Sequence, residues 1–334
     1  MKKVFIDGSA GTTGLRIFDR LKYREDVELI TLTEEKRKDI AARKEAINQA
    51  DIVFLCLPDD AAREAVSLVK NENTVIIDAS TAHRTLDGWA YGFPELGEAF
   101  AKKIASSKRI AVPGCHASGF IALVYPLIEA GMLDKDALVS CHSLTGYSGG
   151  GKSMIKEYND PERGEKYRAP FQYATAQQHK HLKEMKAITG LENEPLFSPI
   201  VADFYSGMLV TVPIFKKQLK KGGIEEIKAL YAEKYQSEFV CYEDIRSYEQ
   251  AHGIKQGFVS ATLMDDYDTM KIFVDGNEER MVLMAAYDNL GKGASGAAVE
   301  CMNIVMGSEK NKGLIVTGKD KFEAYQSGKM VRHY

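Results

Sequence analysis

No stretch of the 334-residue chain approaches the roughly 20 consecutive apolar residues that a bilayer-spanning helix needs. The sequence also lacks a charged N-terminal region followed by an apolar core, the mark of a secretory leader, so the expected location is the cytoplasm. Charge of one sign is missing too. The formal net charge is -3, whereas a nucleic-acid-binding domain normally carries a strong basic excess. Short basic pairs such as Lys216-Lys217 and Lys220-Lys221 read as solvated faces rather than binding patches. Cysteine is sparse. Cys56, Cys115, Cys141, Cys241 and Cys301 are far apart, odd in number and without CxxC spacing, which excludes a zinc knuckle and argues against a disulfide framework. Internal repeats and low-complexity segments are absent.

What is present is an ordinary globular composition, 45% hydrophobic and 27% charged. The length predicts about two domains. From the N-terminus, short apolar runs alternate with helical spacing. Strands are expected at residues 4–6, 27–32, 51–57, 74–78 and 109–112, with helices over 15–21, 34–49 and 61–70. The run 51–57 is nearly all apolar, as a parallel strand covered on both faces must be. Such alternation implies βαβ units and a parallel sheet. After about residue 118 the pattern changes to longer, partly alternating strands near 138–145, 208–213 and 280–287, which suggests a mixed or antiparallel sheet. Residues 297–305 read as a helix able to return to the first domain. The expected fold is therefore α/β: a parallel N-terminal domain over 1–117 together with 294–334, and an α+β domain over 118–293.

Gly8-Ser9-Ala10-Gly11-Thr12-Thr13-Gly14 joins the first strand to the first helix. Glycines there allow a tight turn and close approach of backbone to a pyrophosphate, and the helix beyond supplies free N–H groups. An ordinary tight turn is the plainer alternative. NAD-selective sites place a carboxylate at the end of the second strand. Here that strand ends Thr31-Leu32-Thr33, followed by Glu34, Glu35, Lys36, Arg37 and Lys38. Hydroxyls and cations suit the 2′-phosphate of NADP better, with Thr33 a candidate contact and Glu34 the residue that would argue for NAD.

Cys115 follows Pro113-Gly114 at a strand end and precedes a helix expected over 120–128. A helix N-terminus stabilises a thiolate and lowers its pKa. That setting marks Cys115 as a nucleophile. Cys56 within an apolar strand and Cys301 on a helix read as small buried hydrophobes, and Cys141 and Cys241 lack a comparable setting. Thiolate chemistry needs an acid or base. His179-Lys180-His181 stands out on an expected helix, where positions two apart point in different directions, so at most one imidazole is expected to face the cysteine. His116 could tune the thiol, and His252 and His333 read as structural or exposed. Arg84, after the strand at 74–78, is a candidate phosphate partner, with a surface ion pair as the alternative.

Taken together, Gly8 to Gly14, Ser80-Thr-Ala-His-Arg84, Tyr91-Gly-Phe-Pro-Glu-Leu96, Pro113-Gly-Cys115, Gly146-Tyr147-Ser148-Gly149, His179-Lys-His181-Leu-Lys-Glu184 and Asn289-Leu-Gly-Lys292-Gly293-Ala294 occur in an order that resembles the N-acetyl-gamma-glutamyl-phosphate reductases. Leu57 to Ala62 and Gly207 to Val210 resemble the family's shorter subtype. The resemblance runs from about residue 4 to residue 307. It implies a fold akin to aspartate-semialdehyde dehydrogenase, NADP, no metal, and a homo-oligomer, a tetramer. It implies an acyl-phosphate substrate reduced to a semialdehyde through a Cys115 thioester, with His181 the first choice of acid/base and His179 the second. Ser80, Arg84, Gly146, Tyr147 and Ser148 would face the substrate, and Asn289, Lys292 and Gly293 the cofactor. His116 and Lys183 depart from the residues common at those places in the family. An aspartyl or carrier-bound acyl phosphate stays open as a substrate, and a non-catalytic NADPH sensor as a different class.

Overall fold

The computed structural model describes residues 1–328, so His333 lies outside the described residues. The chain divides into two compact units, one of Met1–Gly114 with Ala294–Tyr334 and one of Cys115–Gly293. The boundary falls a few residues before 118 because the helix that opens the second unit starts at Cys115 itself.

The first unit runs β1 (Lys2–Asp7), α1 (Thr12–Leu21), β2 (Val27–Ile30), α2 (Ile40–Gln49), β3 (Ile52–Leu55), α3 (Asp59–Ser67), β4 (Val75–Asp78), β5 (Ala90–Tyr91), α4 (Glu98–Ser106) and β6 (Arg109–Ala111). Its six strands are all parallel, in the order β2-β1-β3-β4-β6-β5. Every residue of β3 is buried, as its unbroken apolar run required. The helix expected from residue 34 begins instead at Ile40. Residues 34–38 form a turn, with the Lys36 and Arg37 amides on the Thr33 carbonyl, because that charged run has no apolar stripe to bury. Asp39 then caps α2 by accepting from the Ala42 amide at 2.7 Å.

The second unit runs α5 (Cys115–Glu129), β7 (Ser140–Gly146), α6 (Gly151–Asn159), β8 (Phe171–Gln172), α7 (Leu182–Thr189), β9 (Leu196–Ala202), β10 (Met208–Phe215), α8 (Ile224–Lys234), β11 (Val240–Tyr242), α9 (Ile245–His252), β12 (Met270–Gly276) and β13 (Arg280–Tyr287). Its seven strands form a mixed sheet, β11-β12-β13-β10-β7-β9-β8, with antiparallel pairing at its centre. The chain then returns to the first unit through α10 (Gly296–Met306), which packs on α1, α4 and β4, and α11 (Gly318–Gln326). Arg24 ties this return by donating to Asn303 Oδ1 and the Lys312 carbonyl.

Helix α5 is apolar on all sides and eleven of its 15 residues are buried, so it is a core helix rather than a surface one. It packs against β10, β13, α7 and α8. Pro126 lies inside it and has no N–H for the carbonyl of Ala122 four residues earlier. The Tyr235 hydroxyl supplies the missing donor at 2.7 Å, and the Tyr231 hydroxyl donates to the next carbonyl, Leu123. Both tyrosines are buried. Replacing Tyr235 by Phe leaves a buried carbonyl unsatisfied. The expected loss is about 1–2 kcal/mol of unfolding free energy, measured as a lower denaturant midpoint with an unchanged slope.

Candidate active site

In the first unit, the loop after β1 is shaped by contacts that only glycine permits. Gly8 has φ +89°, and a Cβ there would stand 2.3 Å from the Cys56 carbonyl oxygen. A Cβ at Gly14 would stand 2.4 Å from the Gly8 carbonyl oxygen. The loop therefore folds back onto the start of α1, with the Gly11 amide on the Gly8 carbonyl at 2.9 Å. Helix α1 has no side-chain cap, so its first amides are left for a ligand.

A cavity of about 650 Å³ opens beside this loop, lined by Gly8, Ser9 and Ala10 and by the segment after β2. Gly11, Thr12, Thr13 and Gly14 are not part of the lining. Thr33 is not in the wall; Thr31, Leu32, Glu34, Arg37 and Lys38 are. Arg37 pairs with Glu34 across its turn. At the base, Arg43 bridges Asp7 (3.0 Å) and Glu64 (2.7 Å). Burial, opposed by Arg43, raises the pKa of Asp7 above the usual carboxylate value. The volume and the donor set fit a dinucleotide.

After β4, Asp78 organises its own turn. It accepts from the Ser80 amide and hydroxyl and lies 2.6 Å from His83 Nδ1. Ser80 is thus turned onto Asp78. Arg84 is buried, donating from Nε to the Val112 carbonyl and from Nη2 to the Ala79 carbonyl, so backbone acceptors help to hold it away from the surface.

In the second unit, Cys115 is half-buried at the first residue of α5. The hydroxyl of Tyr287 donates to the Cys115 carbonyl and accepts from the Gly119 amide at 3.0 Å. Those two backbone groups would pair with each other in a regular helix, so a side chain from β13 takes part in the first turn. Gly119 makes this possible, since a Cβ there would lie 2.8 Å from the Tyr287 oxygen. Gly293 approaches from the other side, where a Cβ would be 3.2 Å from the Cys115 Cβ. Cys56 and Cys141 have thiols pushed far up by burial, and buried Cys301 donates to the Gly92 carbonyl.

His179 and His181 are not on a helix. Helix α7 starts at Leu182, and the His181 amide donates back to His179 Nδ1 at 3.2 Å. Outside the helix the two rings are free to converge. They lie 4.7 Å apart, and both lie against the ring of His116, at 5.7 Å and 5.6 Å. The expectation that the two rings would point in different directions is therefore corrected. His116 is bonded through both nitrogens, to Ser143 and to Tyr173. Burial, then the charges of His179 and Lys180, hold its pKa down to about 3. Burial, then Lys180, holds His179 at about 4.

Gly146, Tyr147 and Ser148 follow β7. A Cβ at Gly146 would collide with the Tyr205 carbonyl oxygen at 2.5 Å. Tyr147 stacks on Tyr158, and buried Ser148 accepts from Asn289 Nδ2 at 3.0 Å. Asn289 also accepts from the Gly207 amide, so it fastens two loops. Lys292 is buried with its ammonium 5.2 Å from the Phe239 ring centre. Sequence reasoning passed over Tyr173, Ser143 and Tyr287. Tyr173 carried no motif signal, while Tyr287 stands two residues before the recognised Asn289 segment.

Two family models match the chain. "Semialdehyde dehydrogenase, NAD binding domain" covers residues 3–104 and "Semialdehyde dehydrogenase, dimerisation domain" covers residues 115–289. An N-acetyl-gamma-glutamyl-phosphate reductase of Trichormus variabilis is 44% identical over 320 residues, 93% of this chain and 99% of the relative. One from Chelativorans sp. is 44% identical over 309 residues, 91% and 98% of the two chains. This chain belongs to the N-acetyl-gamma-glutamyl-phosphate reductase family. Among solved structures, aspartate semialdehyde dehydrogenase II from Vibrio cholerae superposes with a TM-score of 0.68 at 15% identity, covering 92% of this chain and 98% of that one. That likeness concerns the fold alone. In this family member, Cys115, His116, His179 and His181 all come from the stretch that the second model matches. No helix among the described residues is long and apolar enough to cross a membrane.

The two depressed histidines set an acid limit on stability. An unfolded chain takes up these protons near pH 6.5, and the folded one does so only near pH 3 and 4. Their contribution is thus complete above about pH 6.5 and is lost as the pH falls below it. For His116, which is fully buried, the loss between pH 7 and pH 5 is about 2 kcal/mol. Denaturant midpoints at the two pH values should differ accordingly, and His116→Gln should flatten the dependence.

Proposed function

We propose that this chain reduces N-acetyl-gamma-glutamyl phosphate to N-acetyl-glutamate 5-semialdehyde with NADPH, releasing phosphate, as a step of arginine biosynthesis. The observation that carries the chemistry is the half-buried Cys115 at the start of a core helix with two imidazoles close to its neighbour. The substrate comes from family membership. Cys115 thiolate attacks the acyl carbon, the C–O bond to phosphate breaks, and phosphate leaves with that electron pair. Arg84, held by two backbone carbonyls, is the phosphate partner of this reading, with Ser80 in the same turn. The cofactor supplies the hydride that converts the thioester to a hemithioacetal. Collapse of that oxyanion re-forms the C=O bond and expels Cys115. Amides at the start of α5 stabilise the negative oxygen.

Between the two histidines, exposure favours His179, which is half-buried while His181 is buried. Because His179 Nδ1 accepts an amide and the ring is neutral above about pH 4, its hydrogen sits on Nε2, ready to donate to the oxyanion. This reverses the order drawn from the sequence, where His181 came first. Gly8 to Gly14 cradle the pyrophosphate, and Arg37 with Lys38 hold the 2′-phosphate, a role given earlier to Thr33. Asn289, Lys292 and Gly293 are the cofactor contacts of the second unit, and Gly146, Tyr147 and Ser148, joined to Asn289 through Ser148, are the substrate contacts. Assembly as a tetramer and a cytoplasmic location complete the reading, supported by the family's dimerisation-domain match and the absence of a spanning helix among the described residues.

The reverse reaction tests it. Protein, N-acetyl-glutamate semialdehyde, phosphate and NADP+ should generate NADPH absorbance only when phosphate is present. Cys115→Ala should lose at least roughly 10⁴-fold in rate. Arg37→Ala should raise the KM for NADP+ by about 10-fold and leave that for NAD+ unchanged. Activity without phosphate, or full activity in Cys115→Ala, would overturn the reading.

A further inference from the structure

His116 follows the nucleophile directly and has both ring nitrogens engaged. Nδ1 lies 2.7 Å from Ser143 Oγ, and Nε2 lies 2.7 Å from Tyr173 Oη. A neutral imidazole has one N–H and one lone pair, so these two bonds share a direction set by the tautomer. Ser143, on β7, is fully buried, and among the described residues its hydroxyl has no partner other than His116. If the His116 hydrogen were on Nδ1, the Ser143 hydrogen would be buried without an acceptor, at a cost of about 1–3 kcal/mol. With the hydrogen on Nε2, Ser143 donates to Nδ1 and Nε2–H donates to the Tyr173 oxygen. Nothing buried is then left unmade, because Tyr173 is half-buried and its own hydrogen, which must turn away from Nε2–H, is left for a partner outside the pair.

The freed phenol hydrogen lies close to the chemistry. The Tyr173 ring is 6.0 Å from that of His179 and 6.1 Å from that of His116. Burial, and then the charge of Cys115, raises the Tyr173 pKa well above the ordinary phenol value. The phenol keeps its proton, so it serves as a hydrogen-bond donor and not as an acid.

We propose that Ser143 and His116 are positioning residues that fix the Tyr173 hydroxyl as a donor to the oxyanion formed at Cys115, beside His179. This deepens the reading above and rests on it for the identity of the reacting carbonyl. No proton is transferred. The hydroxyl bonds weakly to the thioester oxygen and more strongly to the charged tetrahedral oxygen, which is the difference that accelerates a step.

Nitrogen-15 NMR of the histidine rings in the wild-type protein, assigned with His116→Gln, reads the tautomer directly. The expected result is a protonated Nε2 and an unprotonated Nδ1; a protonated Nδ1 overturns the proposal. Kinetics tests the consequence. Tyr173→Phe should lower kcat by about 10²–10³-fold, with KM for the substrate changed only a few-fold. His116→Leu should lower kcat by about 10-fold, and the double variant should be no slower than Tyr173→Phe, because His116 acts through Tyr173. Additive losses, or a Tyr173→Phe kcat within twofold of wild type, would overturn it. A wild type inert toward the substrate would sink the functional reading, while the tautomer still decides the relay.

Discussion

The chemistry of the second unit depends on how the first turn of α5 is closed. Tyr287 places its hydroxyl between the Cys115 carbonyl and the Gly119 amide, and this ties the Cys115 backbone to strand β13. A regular helix fixes its first residue only through neighbours in sequence, and such ends fray. Here the end is held by an antiparallel sheet whose β13–β10 ladder runs the full length of both strands. The glycines at 119 and 293 follow from that choice, since each lies where any side chain would push Cys115 or Tyr287 aside. The backbone at Cys115 is consequently held by the sheet as much as by its own helix.

Around this fixed point the polar groups are arranged so that few of them carry charge. His116 and His179 are both kept neutral by burial and by Lys180. A neutral donor with a fixed direction has its dipole already oriented when charge develops beside it. The first unit follows the opposite plan. Its cavity wall carries Arg37, Lys38 and Arg43, permanent charges suited to a ligand that brings its own phosphates.

Much of this was legible in the residues themselves. Apolar runs such as 52–55 can only be covered strands, and a glycine loop that follows one and opens a helix has few other uses. Cys115 stood out by its neighbours, Pro113 and Gly114 before it and an apolar helix after it. What escaped detection depends on contacts between distant segments. On the helix expected for them, His179 and His181 would diverge, but that helix starts at Leu182, and the turn before it lets both rings meet His116. Thr33 sat at a predicted strand end, yet β2 stops at Ile30 and the chain curls so that Arg37 and Lys38 face the cavity in its place. Tyr173 and Ser143 lie 57 and 27 residues from His116 and had no pattern linking them to it.

The tyrosines that mend α5 also set the order in which the chain can be built. The carbonyls exposed by Pro126 receive their donors from residues 108 and 113 positions further along, and the first turn waits for Tyr287, 172 positions beyond Cys115. As the polypeptide leaves the ribosome, the parallel strands preceding Cys115 can pair before any of these hydroxyls exists. The helix bearing the thiol is thus among the last parts to acquire its full set of bonds. A chain cut short before β13 would lack this closure, so the setting of Cys115 is a property of the completed polypeptide and not of its first half.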